Sequence, residues 1–364
     1  MKSLKILISP LNWGLGHAGR MIPLAAELQK RGHEVIFGSD SSLVSLIQKA
    51  LPDIKIIEIP GIKMKYSRIL PQYLNILLRL PLLIYASVRE HVILKGICSD
   101  LQPDIIISDN RFGFHHKRIF SVYVTHMLRI PFPRPFRFLE PAGMLVHKWV
   151  IMKYDLCLVP DYPGEPSVSG RLSHGIRVPD NVLYCGPLSR FSKNTSNSDL
   201  TESREPYTCL ILSGPEPQRT RLLKKVISAI PGKKLVVLTQ ELPADDDLKD
   251  ARITYIVNPD SQTMQDYIRK SEAVVCRSGY SLLMELISLG KGAVLIPTPG
   301  QTEQEYLSDY LNGRNGFVAL KQNQTDNLRF ILDNLTATNN ITYPDNTPFF
   351  EEALSRLTHK QEQG

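Results

Sequence analysis

Apolar residues along the chain fall into two kinds of segment that alternate. Short runs rich in Val, Ile and Leu predict strands, and segments with an apolar residue every three or four positions predict helices. In the first half, strands are expected at Leu4–Ser9, Glu34–Gly38, Ile54–Ile59, Asp104–Asp109, Ser121–Thr125 and Asp155–Val159. In the second half, they are expected at Tyr207–Leu212, Lys234–Thr239, Ile253–Val257, Ala273–Cys276 and Ala293–Ile296. Such alternation is typical of parallel sheets covered by helices on both faces.

A polar segment at 187–206, in which Ser, Asn and Thr are frequent, separates the two halves. This composition is that of a linker. We therefore expect an N-terminal domain at 1–186, a C-terminal domain at 207–335 and a tail at 336–364 with a short helix. The predicted fold class is α/β, with two doubly wound Rossmann-like domains. Ligands bind such sheets at the carboxyl ends of the strands, so the two domains are expected to face each other across a cleft.

Composition limits the classes of protein to consider. The chain has 364 residues, 43% hydrophobic and 22% charged, which is enough for two folded domains. The net charge of +7 favours an anionic partner. Five cysteines without a CxxC pair are expected to be reduced core residues. Charges and proline interrupt the most apolar stretch before it reaches the length of a membrane span. We expect a cytoplasmic protein.

The turn after the first strand is rich in glycine. Gly14, Gly16 and Gly19 precede a helix expected at Arg20–Arg31. With the helix N-terminus, they predict a loop whose backbone N–H groups bind a phosphate or an acceptor group. The same spacing fits a dinucleotide fingerprint, with Asp40 as the ribose-binding acid. An NAD-dependent dehydrogenase is therefore one alternative.

A histidine, His17, interrupts this turn at a position where a dinucleotide loop has a small residue. Asp109 ends the fourth strand, which neighbours the first strand in a doubly wound sheet, so we expect the two side chains to lie close together. A carboxylate beside an imidazole orients it as a general base for an acceptor hydroxyl. The alternatives are a buried histidine bound by backbone groups and an aspartate that caps the strand end.

The second half contains a turn and a loop suited to a nucleotide-sugar. The turn leads from a strand into a helix, whose N-terminus can bind a diphosphate. A carboxylate on that helix can accept two hydrogen bonds from a ribose diol, and the next loop offers groups that bind sugar hydroxyls. The candidate residues are Arg277, Ser278, Gly279, Glu285, Gln304 and Glu305. Without the neighbouring turn, the loop is interpreted as ordinary surface.

These motifs resemble those of a known family, the GT-B glycosyltransferases related to the peptidoglycan N-acetylglucosaminyltransferase. The resemblance is closest around the N-terminal glycine turn and in residues 273–320. It implies that Glu285 holds the ribose and Gln304 the transferred sugar, with the nucleotide on the turn that contains Ser278. It matches His17 to the histidine that ends the family's N-terminal glycine-rich loop. It also implies inverting transfer of a sugar, an N-acetylhexosamine in our prediction, from a UDP-sugar.

The chain departs from that family at several positions. Gly300 stands where the family has a histidine, and Glu305 stands where it has a second glutamine. The family's second glycine-rich turn is matched by Ser213 and Gly214, followed by two prolines that remove N–H donors. Arg219 is expected to contact phosphate there instead. No cofactor is expected besides the co-substrate UDP-sugar, and no obligatory metal, because helix N-termini can stabilise the leaving diphosphate.

Residues 111–139 contain six basic residues, several phenylalanines and no acid. This mixture suits an anionic lipid surface or single-stranded nucleic acid. Beside a sugar-transferase site we favour lipid over nucleic acid. We therefore expect a lipid-linked or lipopolysaccharide-type acceptor, part of a cell-envelope glycan, and peripheral contact with the inner face of the membrane. Leu82–Tyr85 are interpreted mainly as part of a core helix, with an apolar patch beside the basic segment as the alternative.

Two further functions stay open. A nucleotide-sugar epimerase has the same two-domain architecture, and a non-catalytic nucleotide-binding or nucleic-acid-binding protein would bind without turnover.

The triple acid Asp245–Asp247 resembles the metal-binding pair of the other glycosyltransferase fold. Because it lies in a polar segment beyond a strand, we expect a solvated acidic loop there.

Overall fold

The computed structural model describes residues 3–12, 14–59, 80–132, 134–191, 205–243, 248, 250–334 and 343–359. The chain divides into two compact units. The first unit contains Met1–Arg190 together with Pro344–Gly364, and the second contains Phe191–Tyr343. The chain therefore leaves the first unit once and returns to it at its C-terminal end.

The first unit is built on a seven-stranded parallel sheet with the order β3-β2-β1-β4-β5-β6-β7. The strands are β1 Lys5–Pro10, β2 Glu34–Ser39, β3 Lys55–Glu58, β4 Ile105–Asp109, β5 Phe120–Val124, β6 Leu156–Val159 and β7 Val182–Tyr184. The helices are α1 Leu15–Lys30, α2 Ser41–Ala50, α3 Leu80–Leu101 and α4 Glu140–Ile151. The strand order reverses between β1 and β4, which makes their carboxyl ends the expected ligand crevice of this sheet.

Helix α1 begins five residues earlier than predicted. Gly14, with φ of 142°, precedes its first residue, Leu15. Gly16 and Gly19 therefore lie inside the helix, although glycine is a poor helix former. Packing against the sheet outweighs that propensity, because Met21 and Leu24 are buried on the same face of the helix. His17 is consequently a helical residue of the first turn rather than part of an open loop.

The second unit has a six-stranded parallel sheet with the order β10-β9-β8-β11-β12-β13. Its strands are β8 Thr208–Leu212, β9 Leu235–Thr239, β10 Ile253–Val257, β11 Ala273–Cys276, β12 Val294–Leu295 and β13 Val318–Ala319. Its helices are α5 Gln218–Ala229, α6 Ser261–Lys270, α7 Tyr280–Leu289, α8 Thr302–Leu311 and α9 Leu328–Asn334. The order reverses between β8 and β11, so the ligand crevice of this sheet is expected there.

The last helix, α10 Thr347–His359, belongs to the first unit. Its residues Ala353, Leu354 and Leu357 are fully buried in the core that also contains apolar residues of α1. The Tyr162 hydroxyl donates a hydrogen bond to the Pro344 carbonyl at 3.2 Å. The segment treated as a tail in the sequence is thus an integral part of the first unit's core.

Every predicted strand is present, with each end within one residue of its predicted position. The alternating α/β pattern with two doubly wound parallel sheets is therefore confirmed. The sequence pattern missed β7 and β13, because runs of three and two residues carry too little periodicity. In the predicted linker 187–206, residues 192–204 lie outside the described residues.

Candidate active site

His17 and Asp109 meet at the crevice of the first sheet. In the parallel register Pro10 is paired with Asp109, so the carboxyl ends of β1 and β4 coincide. The first turn of α1 then places the His17 ring above the end of β4, with Nδ1 at 3.2 Å from Oδ2 of Asp109. The carboxylate is buried, whereas the imidazole is 21% exposed. The proximity predicted from the strand order is confirmed, and the ring has one side open to a ligand.

The sequence did not indicate a third member of this cluster, Arg20. Its buried guanidinium donates from Nε to Oδ2 of Asp109 at 2.8 Å and from NH2 to Oδ1. NH2 also lies 3.0 Å from Nδ1 of His17, and NH1 lies 3.0 Å from Nδ1 of His126. Residues three apart share a helix face, so the spacing from His17 to Arg20 was the signal available in the sequence.

The surroundings of Asp109 determine its charge. Burial alone would raise the pKa of this carboxyl, but the charges of Arg20 and His17, together with their hydrogen bonds, lower its pKa to about 2. Asp109 is therefore ionised at neutral pH. An ionised carboxylate can orient the neighbouring imidazole and stabilise its protonated form, which a general base needs.

The glycine turn does not form the open phosphate loop that its spacing predicted. Only Gly14 precedes α1, and Gly19 faces Arg190, whose Nε would lie 3.3 Å from a Cβ at this position. Asp40, the candidate ribose acid, caps helix α2 by accepting a hydrogen bond from the Ser42 backbone at 2.9 Å. These contacts weaken the dinucleotide interpretation, because both of its diagnostic features have structural roles.

In the second unit, Arg277 connects three strand-end loops. Its side chain is buried and donates from NH1 to the carbonyls of Ile296 and Pro297, both at 3.0 Å, and from NH2 to the carbonyl of Gln218 at 2.9 Å. Burial lowers the pKa of Arg277 to about 10, so it is still charged at neutral pH. NH1 and NH2 bind the backbone and so hold the loops at the crevice, whereas the buried Nε has no hydrogen-bond partner among the described residues.

The turn that follows Arg277 leads directly into α7. Gly279 occupies the N-cap position and, having no side chain, supplies no capping hydrogen bond of its own. The buried Ser278 hydroxyl donates to the Gln304 carbonyl at 2.8 Å, which ties the turn to the first turn of α8. The N-terminal N–H groups of α7 therefore lie in a fixed turn at the end of β11, which is a site of positive potential.

The loop between β12 and α8 is held by polar side chains from the first turn of α8. Oε1 of Gln304 accepts a hydrogen bond from the Thr298 N–H at 2.8 Å, and Oε1 of Glu305 accepts one from the Gly300 N–H at 2.8 Å. Glu285 lies in the second turn of α7 and is buried, with an exposed fraction of 6%. Gln304 and Glu305, both in the first turn of α8, therefore each have a structural role in this loop.

Arg219 differs from its prediction. The side chain donates from Nε to Glu216 at 2.8 Å and from NH2 to Glu241 at 3.0 Å. Two carboxylates already neutralise it, so a phosphate would have to displace them. Ser213 and Gly214 do follow β8 at the crevice, and Gly214 has a φ of 98° that favours glycine. We retain these two residues as candidates and leave Arg219 out.

The basic and aromatic segment 111–139 is divided between interior and surface. NH2 of the buried Arg111 lies 3.0 Å from Oε1 of Glu90, and the Arg111 guanidinium covers the buried Phe114 ring. For Arg111 and Phe114 the predicted contact with an anionic partner was wrong, because both side chains pack in the core. Phe112 and Phe138 are exposed, the latter by 74%. Only part of the segment is available to a partner.

Much larger apolar surface lies on helices α3 and α4. The large apolar side chains exposed there are Leu82, Ile84, Tyr85, Val88, Val92, Leu145, Val146, Trp149 and, just after α4, Met152. The interpretation of Leu82–Tyr85 as core is therefore wrong for three of the four residues. Phe112 lies between the helices, since its ring is 6.0 Å from that of His147 on α4 and the adjacent Gly113 packs on Ser87 of α3. We call these residues, with Phe112, the apolar face.

No group of three or more His, Cys, Asp or Glu is placed to hold a metal ion in the part of the chain that the structure describes. The acidic run Asp245–Asp247 lies outside the described residues. None of the described helices is long and apolar enough to cross a membrane.

Comparison with known proteins identifies the class of enzyme. Residues 217–357 match the glycosyltransferase family 28 C-terminal domain. An uncharacterized glycosyltransferase of Methanosarcina acetivorans is 24% identical over 338 residues, which covers 83% of this chain and 82% of the relative. Another from Methanosarcina mazei is 24% identical over 337 residues, with the same coverage. The chain is a glycosyltransferase.

Solved structures show the fold of this glycosyltransferase. The calicheamicin glycosyltransferase CalG4 has a TM-score of 0.63 at 12% identity, over 100% of this chain and 95% of that protein. The spinosyn rhamnosyltransferase SpnG, complexed with thymidine diphosphate, has a TM-score of 0.60 at 14% identity, over 99% and 96%. A putative UDP-N-acetylglucosamine 2-epimerase from Listeria monocytogenes has a TM-score of 0.66 at 16% identity, over 100% and 98%. The fold is GT-B, as predicted, and transferases and epimerases share it.

Proposed function

We propose that this glycosyltransferase moves a sugar, an N-acetylhexosamine, from a UDP-sugar to a hydroxyl of a lipid-linked or cell-envelope glycan, with inversion at the anomeric carbon. The observation that carries the proposal is the His17–Asp109 pair at the crevice of the first sheet. An orienting carboxylate and a partly exposed imidazole are what a single-displacement transfer requires of its base.

The donor is assigned to the second unit. The N-terminus of α7, in the turn that contains Ser278 and Gly279, would bind the diphosphate through backbone N–H groups. Glu285 would accept hydrogen bonds from the ribose diol, and the NH2 group of Gln304 would donate to the transferred sugar. SpnG, which is similar in fold, is described with a bound nucleoside diphosphate. That likeness supports a nucleotide donor, and the choice of uridine is our proposal.

The acceptor hydroxyl would bind in the first unit, beside Nε2 of His17. As its oxygen attacks the anomeric carbon, its proton passes to Nε2, and the bond from that carbon to the diphosphate oxygen breaks. The nucleoside diphosphate leaves with the electron pair of that bond. Asp109 stabilises the imidazolium that forms, and the α7 N-terminus stabilises the leaving diphosphate. No metal is required by this scheme.

The acceptor is proposed to be lipid-linked because of the apolar face. Such a large exposed apolar surface marks an interaction site. Its rim is basic: Arg89 and Lys95 on α3 and Lys148 on α4 are exposed, and the Lys153 ammonium lies 3.3 Å from the centre of the Trp149 ring. Apolar groups with a basic rim fit the interface of an anionic bilayer. We therefore propose that this face binds the membrane that carries the acceptor.

A nucleotide-sugar epimerase is the second candidate, favoured by the similarity in fold to the Listeria protein. An epimerase converts the donor alone, whereas a transferase releases UDP in proportion to a new glycoside. The relatives in sequence are named glycosyltransferases, which favours transfer.

The first test is calorimetric binding of UDP, UDP-N-acetylglucosamine and NAD to the full chain. We expect UDP and the UDP-sugar to bind, and Glu285→Ala to lose that binding. Glu272→Ala is the matched control, since Glu272 is exposed at the amino end of β11, away from the crevice. Binding of NAD but not of UDP would overturn the donor assignment.

The second test follows the products from UDP-N-acetylglucosamine with and without a lipid-linked glycan acceptor. We expect UDP and a glycoside of inverted configuration only when the acceptor is present. His17→Ala should abolish transfer while donor affinity stays within about twofold. Conversion of the donor without acceptor would establish the epimerase instead, and full turnover by His17→Ala would contradict the assigned base.

A further inference from the structure

Arg20 stands between the two residues assigned to proton transfer. It lies on the same helix as His17, and its guanidinium is buried beside the Asp109 carboxylate. NH2 of Arg20 is 3.0 Å from Nδ1 of His17, and Oδ2 of Asp109 is 3.2 Å from the same nitrogen. One nitrogen of the imidazole therefore has a donor and an acceptor at hydrogen-bond distance.

These two contacts cannot both be hydrogen bonds of His17 at the same time. A guanidinium only donates and an ionised carboxylate only accepts. If Nδ1 carries the hydrogen, it donates to Asp109 and Nε2 has the free lone pair. If Nδ1 accepts from Arg20, the hydrogen of the neutral ring is on Nε2. Only the first form can take a proton at Nε2.

We propose that Arg20 is a positioning residue that competes with Asp109 for Nδ1 of His17 and so sets which ring nitrogen is free to accept the acceptor's proton. The inference rests on the proposed function, since it concerns the base of that reaction. Arg20 would then have two roles, since the same guanidinium also holds the Asp109 carboxylate in both tautomers of His17.

The geometry explains why the residue is arginine. Nε and NH2 bind the two oxygens of Asp109, while NH2 has a second hydrogen for His17 and NH1 reaches His126. A lysine ammonium would supply the charge from one point and could not span these partners in a planar arrangement. Arg20→Lys therefore keeps the positive charge but removes the competition with Asp109 for Nδ1 of His17.

Among the described residues, other ionisable groups lie near the cluster, and one of them is a cation, Arg190, beside Gly19 of α1. From β5, the Tyr123 phenol is buried, and burial raises its pKa well above the ordinary value. After β7, burial raises the pKa of the Cys185 thiol to about 12. Both are neutral at neutral pH. His126, which follows β5, faces NH1 of Arg20.

The test is nitrogen-15 NMR of the full chain labelled at histidine, without substrate, with the His17 signal assigned by its absence from His17→Gln. The two neutral tautomers have distinct nitrogen shifts, and rapid exchange averages them. In the wild type we expect values between the two limits, because both forms are populated. In Arg20→Lys we expect a shift toward the Nδ1–H limit. Arg31→Lys, at a half-buried arginine that follows the opposite, C-terminal end of the same helix, should leave the signal unchanged.

Kinetics provides the second readout. Arg20→Met should lower kcat by about tenfold or more with the donor KM within about twofold, since the acceptor's base is misplaced and the donor site is untouched. A wild-type His17 signal at the Nδ1–H limit, or one that Arg20→Lys does not move, would overturn the proposal. The wild-type spectrum, assigned with His17→Gln, decides this even if the Arg20 variants fail to fold. The NMR result is independent of turnover, so failure of the proposed function would appear separately, as absence of transfer by the wild type.

Discussion

The Arg20 guanidinium donates hydrogen bonds to both oxygens of Asp109, and both side chains are buried. The pair joins helix α1 to the end of β4, next to the point where the strand order reverses. A buried ion pair of this kind is costly to break, because removal of one partner leaves an unpaired charge in the interior. Stability and the proposed proton transfer therefore depend on the same contact.

This pair predicts a loss of stability in acid. An unperturbed aspartate titrates near pH 3.9, whereas the pKa of Asp109 in the folded chain is about 2. A lowered folded-state pKa contributes stability that is present above the unfolded value and is lost as the pH falls through the folded value. Protonation of Asp109 should therefore lower the free energy of unfolding by about 2 kcal/mol as the pH falls from about 4 to about 2. Urea denaturation at several pH values measures this free energy of unfolding.

The control for that prediction is the double variant Arg20→Met with Asp109→Asn, which removes both buried charges together. Its free energy of unfolding should lack this part of the pH dependence. An equal fall with pH in the double variant and the wild type would show that Asp109 does not contribute it.

Arg277 gives a prediction for the second unit. Arg277→Met would remove the side-chain donor from the carbonyls of Ile296, Pro297 and Gln218, and the first of these contacts is buried, where an unpaired carbonyl costs about 1–3 kcal/mol. We expect a lower melting temperature and a loss of UDP affinity of about tenfold, because the loops that present the α7 N-terminus loosen. Calorimetry of unfolding and of UDP binding measures both. Arg314→Met, an exposed arginine of the same unit, is the control.

The membrane proposal predicts that one charge on the apolar face abolishes binding to lipid. Trp149 is 63% exposed, so Trp149→Glu should leave the fold intact. We expect the wild type to sediment with vesicles that contain phosphatidylglycerol and the variant to stay in the supernatant. Phe330→Glu is the matched control, because Phe330 is 72% exposed on the second unit. Equal sedimentation of all three proteins would count against this face as the binding surface.

The sequence predicted the sheet architecture because parallel strands buried on both faces appear as continuous apolar runs. It also predicted that His17 lies next to Asp109, since both follow neighbouring strands at the reversal of the strand order. Both predictions need only the path of the backbone. The roles of the donor-site residues stay predictions, because they depend on a ligand.

Side-chain partners were less predictable. Arg219 looked like a phosphate ligand until the structure placed Glu216 and Glu241 beside it, and Arg20 looked like an ordinary helical residue until its contacts with Asp109 were known. Glu216 stands only three residues before Arg219, but local sequence does not show the distant carboxylates, Glu241 for Arg219 and Asp109 for Arg20. The apolar face was missed for a related reason, since an apolar helix has the same sequence pattern whether a partner covers it within the fold or outside it.

The last prediction concerns the return of α10 to the first unit. Leu354 is fully buried in the core that also contains Met21 and Leu24 of α1. Leu354→Ala should cost about 2–5 kcal/mol, because it leaves a cavity in the core that also contains residues of α1, the helix that carries His17. We expect calorimetry to show a lower melting temperature for the first unit and activity assays to show slower transfer, while UDP affinity is unchanged. Leu242→Ala, at an exposed position of the second unit, should change neither. Loss of UDP affinity in Leu354→Ala would contradict this division of roles, because the donor would then depend on the first unit's core.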